Sequence, residues 1–565
     1  MRRRGSAVAA WLALAAGSLA AMAWAQPAAP AFPLEDLRPG LVGYGLTEGP
    51  AGVERFDVEV IAVQEGLGLG FPLVLVRASG AVIDLGGGVA AGMSGSPVML
   101  PRSGGEALLG AIGYVFPDAP GGLALVTPIE AMRAQASERA VRPAAPAPDG
   151  AWGVAAARLG AAPVATPVLV TGLGERALRA LADAWTTNSG RPVQLVPGGG
   201  GGATARGPLQ PGSAVAVAWV RGDVDIGAVG TVTEVDGDRV LAFGHPVLGS
   251  GPVAWPLLAA TVTAIVPQRH VPFKLANTGD TILGSVDQDR PAAIGARLGA
   301  APDMLPVTLT VATSAGTRSL RFEVVRDPAL WPTLVAVATL ELLDRVRERV
   351  GEGTATVHWD VAFRQGPGLR LSEAVVDAWD VASAAARLAG APLALLAGNP
   401  FQDPEVARVT LLVRLEDTRR DVEVRQAVGD GAPAVAGGVV PLFLRLQPWR
   451  RPGEVLAVDV RWPEDLVGRA EVVVRGATWP RAPDEREAPD PDDAPLTFDE
   501  LLAFLRDRPG GGDLVIDARV DGGPWRRLDR VALGGFVTGR VELTFDVAPP
   551  ADASTTPDGR SEEAP

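Results

Sequence analysis

The chain has no cysteine. In a polypeptide of 565 residues that removes disulfides, thiol nucleophiles and thiolate metal sites together, so stability must come from packing. Histidine is nearly as scarce: His245, His270 and His358 are the only three, too scattered to suggest a zinc cluster, and neither a metal nor a cofactor is expected. Positive charge is short as well. The net charge of −14 argues against nucleic acid and anionic lipid as partners, because both require a basic face. Lys274 is the only lysine. Past the first two dozen residues no apolar run reaches membrane-span length without Gly, Pro or charge, so no stable membrane insertion is expected. Nor is there a phosphate cradle. The tract Gly198 to Gly202 lacks the lysine and hydroxyl of a phosphate-binding loop and reads as a tether, and Gly66 to Gly70 is not set in a βαβ unit.

What is present describes an exported, multidomain, mainly β protein. A hydrophobic content of 47% against 21% charged residues fits globular domains with cores rather than a disordered chain. Arg2 to Arg4, the apolar run Ala7 to Ala21 and Ala23-Trp24-Ala25 form the three parts of a signal peptide over 1–25, with cleavage after Ala25. The mature chain is expected in a periplasm or outside the cell. Without a cysteine after the leader, a lipoprotein anchor is excluded.

The mature chain divides by composition into 26–141, 142–212, 213–330, 331–548 and a disordered tail, 549–565. In the first part Phe56 to Val60 alternates with strand period, and Leu73 to Val76, Leu108 to Phe116 and Leu123 to Val126 are short apolar runs. Thr127-Pro128-Ile129-Glu130 reads as a capping box opening a helix. Arg142 to Gly150 is a linker, and Glu175 to Trp185 a helix. Val229 to Val235 and Arg239 to Phe243 flank Asp236-Gly237 as a hairpin, leading into Gly244-His245. Beyond Pro332, a helix over Thr333 to Arg349 precedes strands at Thr354 to Phe363, Val409 to Leu415, Val440 to Leu446, Val455 to Val460 and Ala470 to Val474. A helix at Phe498 to Arg506 and a strand at Val541 to Val547 follow, giving a region expected to be an immunoglobulin-like β-sandwich. The Pro/Asp run Ala482 to Pro495 reads as disordered.

Two motifs carry chemistry. In Gly92-Met93-Ser94-Gly95-Ser96-Pro97, glycines flank a serine in a turn whose Gly92 and Ser94 amides can face an oxyanion. Ser96 is the alternative nucleophile, but the glycines flank Ser94 more closely. In Phe243-Gly244-His245-Pro246, His245 lies at a strand end, where a general base can project into a cleft. The bland readings are a Gly/Ser crossing turn and a partly buried turn histidine. His270 and His358 read as structural, and Asp287-Gln288-Asp289-Arg290 as a solvated turn in preference to a cation site.

Gly92 to Pro97, with Leu109 to Tyr114 and Val126 to Ile129, resembles the serine segment of the sporulation stage IV B (SpoIVB-type) serine peptidases. Gly230-Thr231-Val232 through Gly244-His245, and on through Gly284-Ser285 to Gly299, resembles that family's histidine segment. The resemblance covers about half of the mature chain. It implies a trypsin-like pair of β-barrels carrying serine and histidine on opposing walls. The two segments stand here in permuted order, serine first. Ser79 occupies the place of the family's aspartate, with Asp84 and Asp236 the nearest substitutes in sequence, and no PDZ domain precedes either segment. The expected activity is that of an exported serine endopeptidase acting on protein or peptide substrates through Ser94 and His245. The C-terminal region is expected to recruit substrate or an envelope partner. The alternative is a catalytically silent envelope scaffold that binds peptides or proteins on the same fold.

Overall fold

The computed structural model describes residues 28–65, 69–116, 121–137, 162–164, 166–189, 194–198, 207–268, 271–478 and 497–550. The expected leader over 1–25, the linker over 142–150, most of the glycine tract, His270, the run 482–495 and nearly all of the tail lie outside the described residues. The protein is mainly β. It divides into two units, Met1–Val307 with Arg321–Ala338, and Thr308–Leu320 with Thr339–Pro565.

Strand alternation builds the first barrel. In β2 (Gly52–Gln64), Phe56, Val58 and Val60 are buried while Asp57 and Glu59 face out, the period-2 pattern of a strand with one wet face. It joins β1 (Val42–Gly49), β3 (Leu73–Ser79), β4 (Pro97–Arg102), β5 (Gly105–Val115) and β6 (Gly122–Pro128) in the hydrogen-bonded order β4-β1-β2-β3-β6-β5. Pairing of β4 with β5 closes the circle, leaving no free edge along most of its length. Val58, Val74, Val76, Val98, Leu100, Leu109, Ile112 and Val126 belong to its apolar core. The four sequence-predicted runs of this region fall in β2, β3, β5 and β6.

Helix α1 (Ala81–Gly86) sits between β3 and the serine turn, and α2 (Ile129–Ser137) follows β6 directly. The start of α2 is where the sequence places it, but the expected cap is not made. Pro128 ends the strand, and the Thr127 hydroxyl donates to the Gly244 carbonyl oxygen at 2.6 Å. A buried tertiary acceptor has displaced the local one.

After a two-residue strand β7 (Ala162–Pro163), strand β8 (Pro167–Thr171), helix α3 (Glu175–Ser189) and strand β9 (Gln194–Pro197) form a βαβ unit with β8 and β9 parallel. Trp185 of α3 meets Trp219 edge-on, ring centroids 4.7 Å apart. A second ring follows from β10 (Ala214–Gly222), β11 (Asp225–Asp236), β12 (Arg239–Ala242), β13 (Gly251–Val266), β14 (Phe273–Arg290) and β15 (Ala293–Leu298). The order β10-β13-β14-β15-β12-β11 returns on itself through the β10–β11 pairing. The predicted hairpin is the β11–β12 pair, with Asp236 opposite Arg239.

In the second unit, Gly353–Phe363 pairs with Leu369–Asp377 and with Val406–Glu416. The helix Val381–Ala397, unforeseen in the sequence, covers them: Trp359 Nε1 donates to Ala389 O at 2.9 Å. These strands were expected in the C-terminal sandwich. Instead, the two sheets that share a core, around Leu442, Leu444, Val472, Val474, Leu514 and Ile516, draw their strands from Asp421 to Ala548. The helix expected over Thr333 to Arg349 runs Trp331–Arg347, with Pro332 in its first turn, where a missing N–H costs nothing.

Candidate active site

The serine turn is pinned to the second ring by backbone and threonine hydroxyls. Thr231 N donates to Ser94 O at 2.8 Å, Thr231 Oγ1 to Gly92 O at 2.9 Å, and Thr233 Oγ1 to Gly95 O at 2.8 Å. Gly95 has φ 93°, and a Cβ there would collide with the Thr231 carbonyl oxygen and the Phe243 amide nitrogen. Only glycine fits, for both reasons.

The amides sort into two classes. Met93 N donates to Ala90 O, Gly95 N to Ile112 O and Ser96 N to Met93 O. Among the described residues, the Gly92 and Ser94 amides donate to no protein acceptor. Their orientation is nonetheless fixed. Ala91 O accepts from Lys274 N at 2.9 Å and Met93 O from Ser96 N at 3.0 Å, and a trans peptide points its N–H opposite to its C=O. Two buried, held and uncommitted N–H groups are the raw material of an oxyanion site, since buried amides are otherwise almost always paired.

On the histidine side, Phe243 adopts φ 70°, an uncommon conformation for a bulky residue, with Gly244 following at φ 65°. Thr127 holds the Gly244 carbonyl. His245 Nδ1 lies 2.8 Å from Pro246 O. A carbonyl can only accept, so a proton sits on Nδ1, which in the neutral ring leaves the lone pair on Nε2, the tautomer a base requires. The imidazole stands between Phe243 and Tyr114 of β5, each with ring centroid 6.3 Å away.

The loop after His245 hangs on one carboxylate. Asp289 accepts from the amides of Val247, Leu248, Gly249 and Ser250 at 2.8, 2.9, 2.7 and 3.0 Å. Burial pushes its carboxyl above the usual range, and the four amides pull it back. The solvated-turn reading therefore fails at Asp289, which is buried, because four loop amides replace water. Asp287 is spent on Arg239, whose Nη1 donates to both carboxylate oxygens, and on Arg297.

The fold brings the two predicted motifs into contact but leaves their side chains unjoined. Ser94 is fully buried, and among the described residues its Oγ, like that of Ser96, has no hydrogen-bond partner. His245 is 1% exposed. Of the sequence's substitutes for a triad acid, Asp84 sits exposed on α1 and Asp236 exposed at the hairpin turn, while Ser79 is exposed opposite Asp57 in the barrel wall. The atom beside His245 Nδ1 is a carbonyl oxygen.

Lys274 was noticed in the sequence only for its rarity. Its Nζ reaches Thr47 Oγ1 of the first barrel at 2.7 Å and Thr231 Oγ1 at 3.2 Å, and its Cβ and Cδ lie 3.3 Å from where a Cβ on Gly92 would stand. Burial lowers its pKa to about 7, opposed by the charges of Glu48 and Glu54. Thr127, Thr231 and Asp289 were also missed as site residues. They act across more than a hundred residues, or on backbone groups, and leave no local pattern. Comparison with protein-family models, with curated proteins and with solved structures returned no match.

Proposed function

We propose that this chain is a serine peptidase of the SpoIVB type, its two six-stranded rings forming a trypsin-like pair with Ser94 and His245 at their junction. The observation that carries the reading is the pair of Gly92 and Ser94 amides, held by their neighbours yet donating to no acceptor among the described residues, on either side of the Ser94 turn. Ser94 Oγ attacks a peptide carbonyl and passes its proton to His245 Nε2. The two amides receive the tetrahedral oxyanion, and His245 then protonates the leaving amine. Water releases the acyl group by the same route in reverse. The Pro246 carbonyl orients the imidazole but brings no full negative charge to the imidazolium, so turnover is expected to be slow or confined to a narrow substrate set. The chain is exported by its leader, acts in a periplasm or outside the cell, and recruits substrate or an envelope partner through its C-terminal, immunoglobulin-like sandwich.

A second reading, the silent peptide- or protein-binding scaffold, is favoured by the burial of Ser94 and by the absence of a bond from its hydroxyl. Fluorophosphonate labelling separates the two. The peptidase reading expects label on wild type and none on Ser94→Ala; equal labelling of both sinks it.

A further inference from the structure

The serine turn leaves part of one strand edge open, and a piece of the same chain lies on it. Along the β4 side of β5, Pro97 is opposite Ala111, and Ser96 O and Gly95 N still bond Ile112. There the turn peels away toward Ser94. The next position of that edge, Gly113, gives its carbonyl to Val164 N at 2.9 Å, while Tyr114 and Val115 pair antiparallel with Pro163 and Ala162. Val164 is buried, and further on Pro167 Cγ comes within 3.4 Å of where a Cβ on Gly92 would stand. Pro163 thus stands opposite Tyr114, whose ring neighbours His245, and Pro167 beside the glycine of the candidate oxyanion site.

We propose that Ala162 to Val164 is an internal occupant that holds shut the β5 edge at Gly113, Tyr114 and Val115, the edge on which the peptidase reading lays an extended substrate. This rests on the peptidase reading and adds its regulation. Strand addition to an exposed edge recognises any extended backbone, the main chain supplying affinity and alternate side chains selectivity. The occupant runs antiparallel to β5, as β4 does, so its direction is toward the serine turn. A substrate lying the same way sets the residues N-terminal to the attacked bond against Val115, Tyr114 and Gly113. The occupant is short, a two-residue strand with one further hydrogen bond, and a longer peptide can replace it.

The test uses the full mature chain and a fluorescent peptide of its own residues 161–167, Ala-Ala-Pro-Val-Ala-Thr-Pro. Val164→Pro removes the N–H that bonds Gly113 O. Vacating the edge removes the competition of an attached strand, so the peptide is expected to bind Val164→Pro at least about tenfold tighter than wild type. Val115→Cys with Ala162→Cys, register partners in a chain without other cysteines, locks the occupant when oxidised. The locked form is expected to lose peptide binding and to take fluorophosphonate at least about tenfold more slowly, with both restored by dithiothreitol. Equal peptide affinity in Val164→Pro and wild type, or unchanged binding in the locked form, overturns the proposal. If no form takes the fluorophosphonate, the peptidase reading falls, and the peptide arms alone decide whether the edge is a peptide site.

Discussion

On the serine side of the site the chain is held by its own small residues together with two residues of β11: Gly95 fits where no Cβ can, the turn's internal amide bonds span three residues or fewer, and Thr231 and Thr233 hold the Gly92, Ser94 and Gly95 carbonyls. On the histidine side the hold comes from afar. Thr127 reaches Gly244 from the first barrel, and Asp289, some forty residues on, gathers four successive amides. The nucleophile rests on local turn geometry as well as on contacts from β11, the base chiefly on long-range polar contacts, and the two sides should therefore fail in different ways.

The largest effect is expected at Asp289. Asp289→Ala strands four loop amides and should cost about 4 kcal/mol, read from the urea midpoint, while Asp289→Asn, which keeps one acceptor oxygen, costs less. On the opposite side, Gly95→Ala forces a Cβ into two backbone atoms at a positive φ. It should cost about 3 kcal/mol and abolish labelling of Ser94.

Lys274 joins the two sides and gives a pH signature. Its folded pKa of about 7 lies below the 10.5 of a free lysine, so between those values the unfolded chain binds a proton the folded one does not. Stability then rises with pH through that window, by at most about 1.4 kcal/mol per unit, and the full burial penalty stands below it. Lys274→Met should flatten that rise. An equal slope in wild type and variant would place the ionisation elsewhere, with Glu48 and Glu54 the charged groups that face it.

Thr231→Val removes the hydroxyl between Lys274 and Gly92 and should cost about 1–2 kcal/mol in denaturant unfolding. At the small end, Asp84→Asn and Asp236→Asn are exposed changes. Each should leave stability within about 0.5 kcal/mol and labelling unchanged; a loss of labelling in either would identify it as the acid that serves His245.

The same contrast explains what could be read in advance. Period-2 alternation marked β2, and Asp236-Gly237 marked the hairpin that carries the chain to His245. The glycines around Ser94 declared a turn with special backbone needs. Thr127, by contrast, looked like a helix cap because capping is the local use of a threonine before proline, and a buried carbonyl from residue 244 won instead. Asp289 looked solvated because its neighbours in sequence are charged, whereas its neighbours in space are loop amides. The alanine-rich helix Val381–Ala397 was passed over because it carries Pro392 and almost no polar face to give it a period.

The most direct test is to map the site of fluorophosphonate attachment by mass spectrometry in wild type, Ser94→Ala and His245→Ala. The account predicts an adduct on Ser94, absent from the first variant and formed at least about a hundredfold more slowly in the second. An adduct on Ser96, or one that forms on Ser94 at the same rate without the imidazole, would contradict it.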